Sequence, residues 1–542
     1  METVRGGGGD DVIVLGAGHN GLVCACYLAG AGLKVRVLER RGIVGGAAVT
    51  EEFLPGFRNS SLSYTVSLLH PRVIAELRLA ERGLRIVARP FGNFVPLADG
   101  RSLRYGAGLQ EDQVEVARFS ERDARELPAQ LERLARVGRM VREWILRAPP
   151  EIGGPAVLSG WESFASAARL MKDFAMLGRQ GQRDLIEVFT RSAGEVLDSR
   201  FESEPLKAVI GWDSIVGNYA SPYAPGSAYV LLHHWLGEVN GRAGAWGHAI
   251  GGMGRITELL AQEAVSRGVV IETSRPVKQV VVERGRAVGV ETEDGRVLRA
   301  RAVAAAVNPR LLYERLVDPG NLDEDFRRKV AGYRCGSGSL RINIALSELP
   351  DFRAAPGTSA QPHHASGILL GGSLAEMDRA FQDARESGHS RRPIVEMLIP
   401  SLVDESLVDR ARHPGAHVAS LFCQHFDPRP AQGWDALKDG AVQAVFDVVE
   451  EHCPNFRRAL LGHRAWTPLD LERDFGLLGG DIFHGQLGLD QLFSLRPWVG
   501  HARYRGPIEG LYHCASGAHP GGGVTGGPGH NAARRIARDL GR

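Results

Sequence analysis

Apolar residues follow several rhythms along this chain, and each rhythm predicts a different element. Val12 to Leu15 is a short β-branched run and reads as a strand, while Leu22, Val23, Ala25 and Leu28 continue it as a helix; Lys34 to Leu38 reads as a second strand. From about Glu121 to Leu236 the spacing turns helical, as in Leu134, Val137, Val141, Trp144 and Ile145, with one interruption at "APPEIGGP". That span predicts a largely helical lobe. Between Gly251 and Pro309 a helix carrying Ile256, Leu259, Leu260 and Ala264 runs into alternating strands, and "EDG" at Glu293 to Gly295 marks a hairpin turn. From Tyr313 to about Arg496, strand candidates such as "RINIAL" and "RPIVEMLIP" are separated by loops rich in Pro, Ser and Gly. Finally a strand ends at Cys514, a glycine-rich turn follows, and a helix carries Ala532, Ala533, Ile536 and Leu540 on one face.

The first strand, turn and helix enclose Gly16, Gly18 and Gly21 in the spacing G-x-G-x-x-G. Each glycine has a reason: Gly16 allows the tight turn, Gly18 lets a pyrophosphate approach the backbone, and Gly21 lets the helix pack close to the strand. The helix N-terminus then offers unpaired amides to phosphate. The second strand ends at Glu39, roughly 20 residues past the turn, where a carboxylate accepts hydrogen bonds from ribose hydroxyls. An acid at this place disfavours a 2'-phosphate. Strand, helix and acid together predict a dinucleotide site.

Beyond Glu39 and Arg40, "RGIVGG" from Arg41 to Gly46 supplies a glycine pair that lets another backbone segment approach the bound pyrophosphate. Here the sequence resembles the flavoprotein family that contains amine oxidases and phytoene desaturases, whose signature is this fingerprint followed by a glycine pair. The resemblance implies resident FAD. Where the family carries an arginine after the pair, this chain has Ala47. By the same resemblance, the strand around Val277 passes the adenine and Val277 binds it through its backbone.

"GLYHCASGAHPGGGVTGGPGHNAARRIARDL", from Gly510 to Leu540, resembles the phytoene desaturase-like branch, which carries an "HPGGG" turn before its last helix. Gly521, Gly522 and Gly523 remove side chains where a flat ring could lie against the backbone. Val524 and its neighbours can then present amides to the flavin carbonyl edge, and the helix N-terminus favours the negative charge of reduced flavin. The candidate cofactor contacts are therefore Gly16, Gly18, Gly21, Glu39, Arg40, Gly45, Gly46, Val277, Gly517, Gly522, Gly523 and Val524. Ser60, Ser61 and Tyr64 are further candidates for the flavin face, with loop hydrogen bonding as the alternative. His519 reads as a turn residue bonded to backbone, with orientation of flavin or substrate as the alternative, and no catalytic acid or base is named.

The fold expected is α/β: a Rossmann-type FAD-binding domain built from discontinuous segments, with an α+β substrate domain and a helical lobe. The cofactor domain takes residues 9–120, 246–310 and 496–542; the helical lobe spans 121–245 and the substrate domain 311–495. This arrangement places the active site between lobes.

Composition narrows the chemistry. With 65 Lys+Arg against 63 Asp+Glu and no block of one sign, nucleic acid is not an expected partner. The six cysteines include no C-x-x-C, and "CAC" on the first helix places Cys24 and Cys26 on different faces, so disulfide exchange is set aside. The adjacent pairs His233-His234 and His363-His364 lack ligand spacing, and no metal is expected. The N-terminus "METVRGGGGDD" has neither an apolar signal core nor an amphipathic Arg-rich presequence, which suggests a cytoplasmic protein, although the resemblance places animal relatives in mitochondria. Arg133 to Arg147 interleaves Leu134, Val137, Val141 and Trp144 with four arginines. It reads as a core-facing helix, with peripheral contact to an anionic membrane as the alternative.

The function expected is that of an FAD-dependent oxidoreductase of dehydrogenase or desaturase type, taking a hydride from an apolar small molecule. A flavin-dependent amine oxidase is the enzyme alternative; a flavin-binding regulatory protein acting through a protein partner is the other. A second nucleotide fingerprint is not visible: "CGSGSL" at Cys335 lacks the third glycine, and "GGMGRI" at Gly251 follows a loop rather than a clear strand.

Overall fold

The computed structural model describes residues 9–153 and 156–542, and two seven-stranded sheets organise them. In the first sheet Val270–Glu272, Val35–Leu38, Asp10–Leu15 and Val297–Ala305 lie side by side and parallel. Val297–Ala305 is long enough to serve twice. Its first half pairs antiparallel with Arg286–Thr292, which pairs in turn with Val277–Glu283, while its last residues pair parallel with Leu511–His513. Three segments far apart in the chain thus close one sheet, as the discontinuous α/β reading expects.

Residues Val12–Leu15 of the central strand are buried on both faces, which is why they read as a continuous apolar run. Val12 and Val14 face a core shared with Leu22, Val23, Ile256, Leu260, Ala532 and Ile536, contributed by helices His19–Gly30, Met253–Ser266 and Gly527–Asp539. Ile13 and Leu15 point the other way, into a cluster with Val303, Tyr313, Phe326 and Trp498.

The second sheet runs in the order Leu460–Trp466, Ser339–Leu346, His417–Phe426, His389–Leu398, Gly367–Leu370, Asn93–Pro96 and Ser102–Tyr105. Its pairings are antiparallel except that between Gly367–Leu370 and Asn93–Pro96. The runs "RINIAL" and "RPIVEMLIP" form its central strands, and helices Leu374–Ser387 and Trp434–His452 pack on it. Two of its strands, Asn93–Pro96 and Ser102–Tyr105, come from the span the sequence assigns to the first cofactor segment.

Glu121–Ile145, Ala156–Met176, Gly178–Thr190 and Ser227–Trp235 are helices of the lobe between the sheets in sequence. In Glu121–Ile145, Leu134, Val137, Val141 and Trp144 are buried. Its arginines meet carboxylates: Arg133 bonds Asp184 at 2.9 Å and Arg142 bonds Glu238 at 2.7 Å. Among the described residues no helix is long and apolar enough to cross a membrane.

Candidate cofactor and substrate site

The fingerprint and the glycine pair meet. Gly45 N donates to the Ala17 carbonyl at 2.9 Å, and Gly18 and Gly45 form a parallel bridge. Gly45 and Gly46 adopt φ of +126° and +56°, conformations that disfavour a side chain. A Cβ on Gly46 would stand 3.2 Å from Gly18 Cα, and one on Gly21 would stand 2.1 Å from the Gly16 carbonyl oxygen. At Gly18 the opposite holds: a Cβ there meets nothing within 4 Å. The backbone around Gly18 therefore borders open space while its neighbours are tightly packed.

Glu39 stands at the end of its strand, buried, with its carboxylate accepting from the amides of Ala17 at 2.8 Å and Arg41 at 2.9 Å. The Arg275 amide donates to the Glu39 carbonyl at 2.8 Å, which holds the chain two residues before Val277 at the end of this strand. Arg40 points elsewhere: it is exposed and donates to the Asp474 carbonyl at 3.0 Å.

The C-terminal glycine turn lies across the N-terminus of the first helix. Asn20 donates to Ser516 Oγ at 3.1 Å, joining the two segments. Gly517 packs on Pro309, Gly522 on Phe483, and Gly523 on Leu68 with the His233 ring beyond. Val524 borders an adjoining cavity. His519 turns away from it and bonds the Trp144 carbonyl through Nε2 at 3.0 Å.

Whether these residues suit a dinucleotide is tested by their unmet hydrogen bonds. His19 Nε2, Asn20 Oδ1, Arg41 Nη1, His233 Nε2 and His484 Nδ1 are buried atoms without partners on or beside the two glycine segments. Desolvation lowers the pKa of His19 to about 4 and those of His233 and His484 to about 3, so all three stay neutral near pH 7. Neutral imidazoles and open backbone can serve a ligand's phosphates and hydroxyls. This mixture of donors and one acceptor fits FAD. Of these atoms only those of His19 and Asn20 sit inside the fingerprint, between its second and third glycines, though the sequence reading named neither; His233 and His484 come from distant segments with no local signal.

The cavity beside Gly523 and Val524 is lined by Leu62, Tyr64, Val216, Trp246, Phe422 and Ile482 among others. Tyr64 stacks on Phe422 with ring centroids 5.0 Å apart, and the Arg341 guanidinium lies 4.5 Å over the Tyr64 ring. The Tyr64 hydroxyl donates to Glu396, whose other oxygen accepts from Arg89 at 3.2 Å. Ser60 and Ser61 make the hydrogen bonds of the alternative reading. Ser60 Oγ accepts from the Met253 amide at 2.9 Å, and Ser61 Oγ donates to Glu51 at 2.9 Å. Among the described residues no group of His, Cys, Asp or Glu is placed to hold a metal ion.

A discontinuous dinucleotide sheet, a glycine turn over its first helix and an adjoining cavity define the class: an FAD-dependent oxidoreductase. The chain belongs to the family described as flavin containing amine oxidoreductase, whose model matches residues 21–345. It is 40% identical to pyridine nucleotide-disulfide oxidoreductase domain-containing protein 2 of Rattus norvegicus, covering 98% of this chain and 94% of the relative. It is 26% identical to a limonene dehydrogenase polypeptide of Castellaniella defragrans, covering 98% and 95%. A crystal structure of an oxidoreductase from Methanosarcina mazei shares the fold with a TM-score of 0.61 at 16% identity, covering 97% of this chain and 100% of that one.

Proposed function

We propose that the protein oxidises an apolar small molecule in a dehydrogenase or desaturase reaction, FAD supplying the acceptor for a hydride from a carbon–hydrogen bond. The pyrophosphate would be held by Gly16, Gly18, Gly45 and Gly46, the ribose by Glu39, the adenine by the backbone at Val277, and the flavin by Gly517, Gly522, Gly523 and Val524. The observation that carries the substrate class is the cavity wall. Leu62, Leu68, Val216, Phe422 and Ile482 give it an apolar surface. Glu396, the carboxylate bonded to cavity-lining Tyr64, has both oxygens engaged and offers no free counter-charge to a cationic substrate. These side chains position the substrate and exclude water. The name of the limonene dehydrogenase relative points the same way.

A second reading, oxidation of an amine, is favoured by the aromatic rings of Tyr64, Trp246 and Phe422 in the same wall. Anaerobic mixing of the oxidised holoenzyme with apolar and with basic fractions of a cell extract separates the two. Bleaching of the flavin by the apolar fraction is expected; bleaching confined to the basic fraction would establish the amine reading instead.

A further inference from the structure

A cleft of about 530 Å³ opens on the other side of the C-terminal helix, between the loop around Trp144–Pro150, helix Ala156–Met176 and helix Gly527–Asp539. His519 of the C-terminal glycine turn lines it from behind, but no fingerprint or glycine-pair residue does, and neither does Gly517, Gly522, Gly523 or Val524. Its volume is that of a small-molecule site.

Its charge is lopsided. Six arginines line it, against the carboxylates of Glu162 and Asp173. Glu162 bonds three guanidinium groups, Arg503 at 2.9 Å, Arg535 at 2.7 Å and Arg538 at 2.6 Å, and Arg535 has a second carboxylate partner in Asp539 at 3.1 Å. Those arginines outweigh its desolvation and hold the Glu162 pKa to about 2. Arg503 and Arg535 have side chains only 9% and 8% exposed, and each keeps an Nε donor without a partner. A buried unmade hydrogen bond on a charged group is costly, and a phosphate supplies the acceptor oxygens that guanidinium donors match. The apolar part of the lining is equally open. Trp161 is 81% exposed at the mouth, stacked on Phe164 with centroids 5.8 Å apart, while Trp144 and Phe493 lie inside.

We propose that this cleft is a second ligand site, for an organic phosphate whose charged group meets Arg503 and Arg535 and whose aromatic or alkyl body lies against Trp144, Trp161 and Phe493. The test uses the FAD-loaded protein, whose filled cradle leaves the cleft as the site to be titrated. Tryptophan fluorescence is followed while adding ADP, hexyl phosphate or inorganic phosphate, with flavin release monitored in parallel. Saturable quenching is expected with at least one organic phosphate, about tenfold or more tighter than with inorganic phosphate. Comparison of ADP with hexyl phosphate tells an aromatic body from an alkyl one. Arg535→Gln and, independently, Arg503→Gln should weaken the organic phosphate about tenfold. Trp161→Ala, at an exposed position that leaves the fold intact, should weaken the organic phosphate and not the inorganic one. Three results would overturn the proposal: no saturable change, equal affinity for inorganic phosphate, or binding that releases FAD and ignores Arg503→Gln and Trp161→Ala.

Discussion

The two seven-stranded sheets present their chemistry in opposite ways. In the first sheet, main chain sets the geometry: glycines fix the distances around Gly18, and the strand-end acid Glu39 is itself held by backbone amides. In the antiparallel sheet, side chains do it: Arg341 and Phe422 come from its strands, and Glu396 holds Tyr64 and Arg89 from elsewhere. Backbone geometry constrains residue type narrowly, so the first sheet tolerates little substitution near its turn. A side-chain wall can be rebuilt in many ways.

The strongest test of that contrast compares two glycines three residues apart. Gly21→Val places a side chain against the Gly16 carbonyl oxygen, where only backbone could yield. A loss exceeding about 4 kcal/mol, read as failure to fold or to melt cooperatively, is expected. Gly18→Val enters open space from an extended backbone, φ −69° and ψ 168°, so the apoprotein should melt within about 1 kcal/mol of wild type yet bind no FAD. Equal damage from both changes would dissolve the distinction between packed and ligand-facing backbone.

Acid should act next. His19, His233 and His484 are held neutral by desolvation, with pKa values lowered to about 4, 3 and 3 from 6.5. A histidine whose folded pKa is depressed contributes its full stability above the unfolded value; below it, the unfolded chain binds protons that the folded chain refuses. Stability should therefore fall from pH 6.5 toward pH 4, by about 1.4 kcal/mol per pH unit for each such histidine. Melting temperature and flavin release across that window check it, and a flat response down to pH 4 would contradict the neutral assignment.

On the side-chain wall, Glu396→Ala leaves Arg89, 8% exposed, with its buried charge unpaired. A loss of about 3–5 kcal/mol in denaturant unfolding is expected, with FAD content retained. On the backbone side, Glu39→Ala should weaken FAD by only about 1–3 kcal/mol, measured by equilibrium dialysis, because Ala17 and Arg41 amides can turn to water or ligand once freed.

What the sequence made legible follows the same division. The strands Asp10–Leu15 and Leu511–His513 and the hairpin turn at Glu293–Gly295 were readable because each depends on local residue type. The wall was not. Tyr64 could be named as a candidate, but Ser60 and Ser61 stand in the same run and turn to cap a helix and bond Glu51. Nor does anything local tie His233 or His484 to the turn, since tertiary packing alone brings them there. Arg40 follows Glu39 in sequence, yet its long side chain reaches a helix end.

The smallest effect expected is none at all: NADH and NADPH should not bleach the flavin. Direct reduction would need a second place for a dinucleotide, and the two glycine runs weighed as a second fingerprint, at Gly251 and after Cys335, are already filled. At the start of helix Met253–Ser266, the Met253 amide donates to Ser60 Oγ at 2.9 Å and the Gly254 amide to Thr50 Oγ1 at 2.9 Å. A Cβ on Gly254 would stand 2.5 Å from the Thr50 amide nitrogen, so this glycine serves helix–strand packing and leaves no room for a phosphate. In the run after Cys335, the Gly336 amide donates to Asp481 at 2.7 Å, and Gly338 packs on Tyr219. A carboxylate already occupies the donor that a phosphate would use. Anaerobic mixing of oxidised holoenzyme with excess NADH or NADPH, followed by flavin absorbance, should show no change over minutes. Bleaching within seconds would mean that a nicotinamide reaches the flavin through the substrate cavity, making that cavity a cofactor entrance as well as a substrate site.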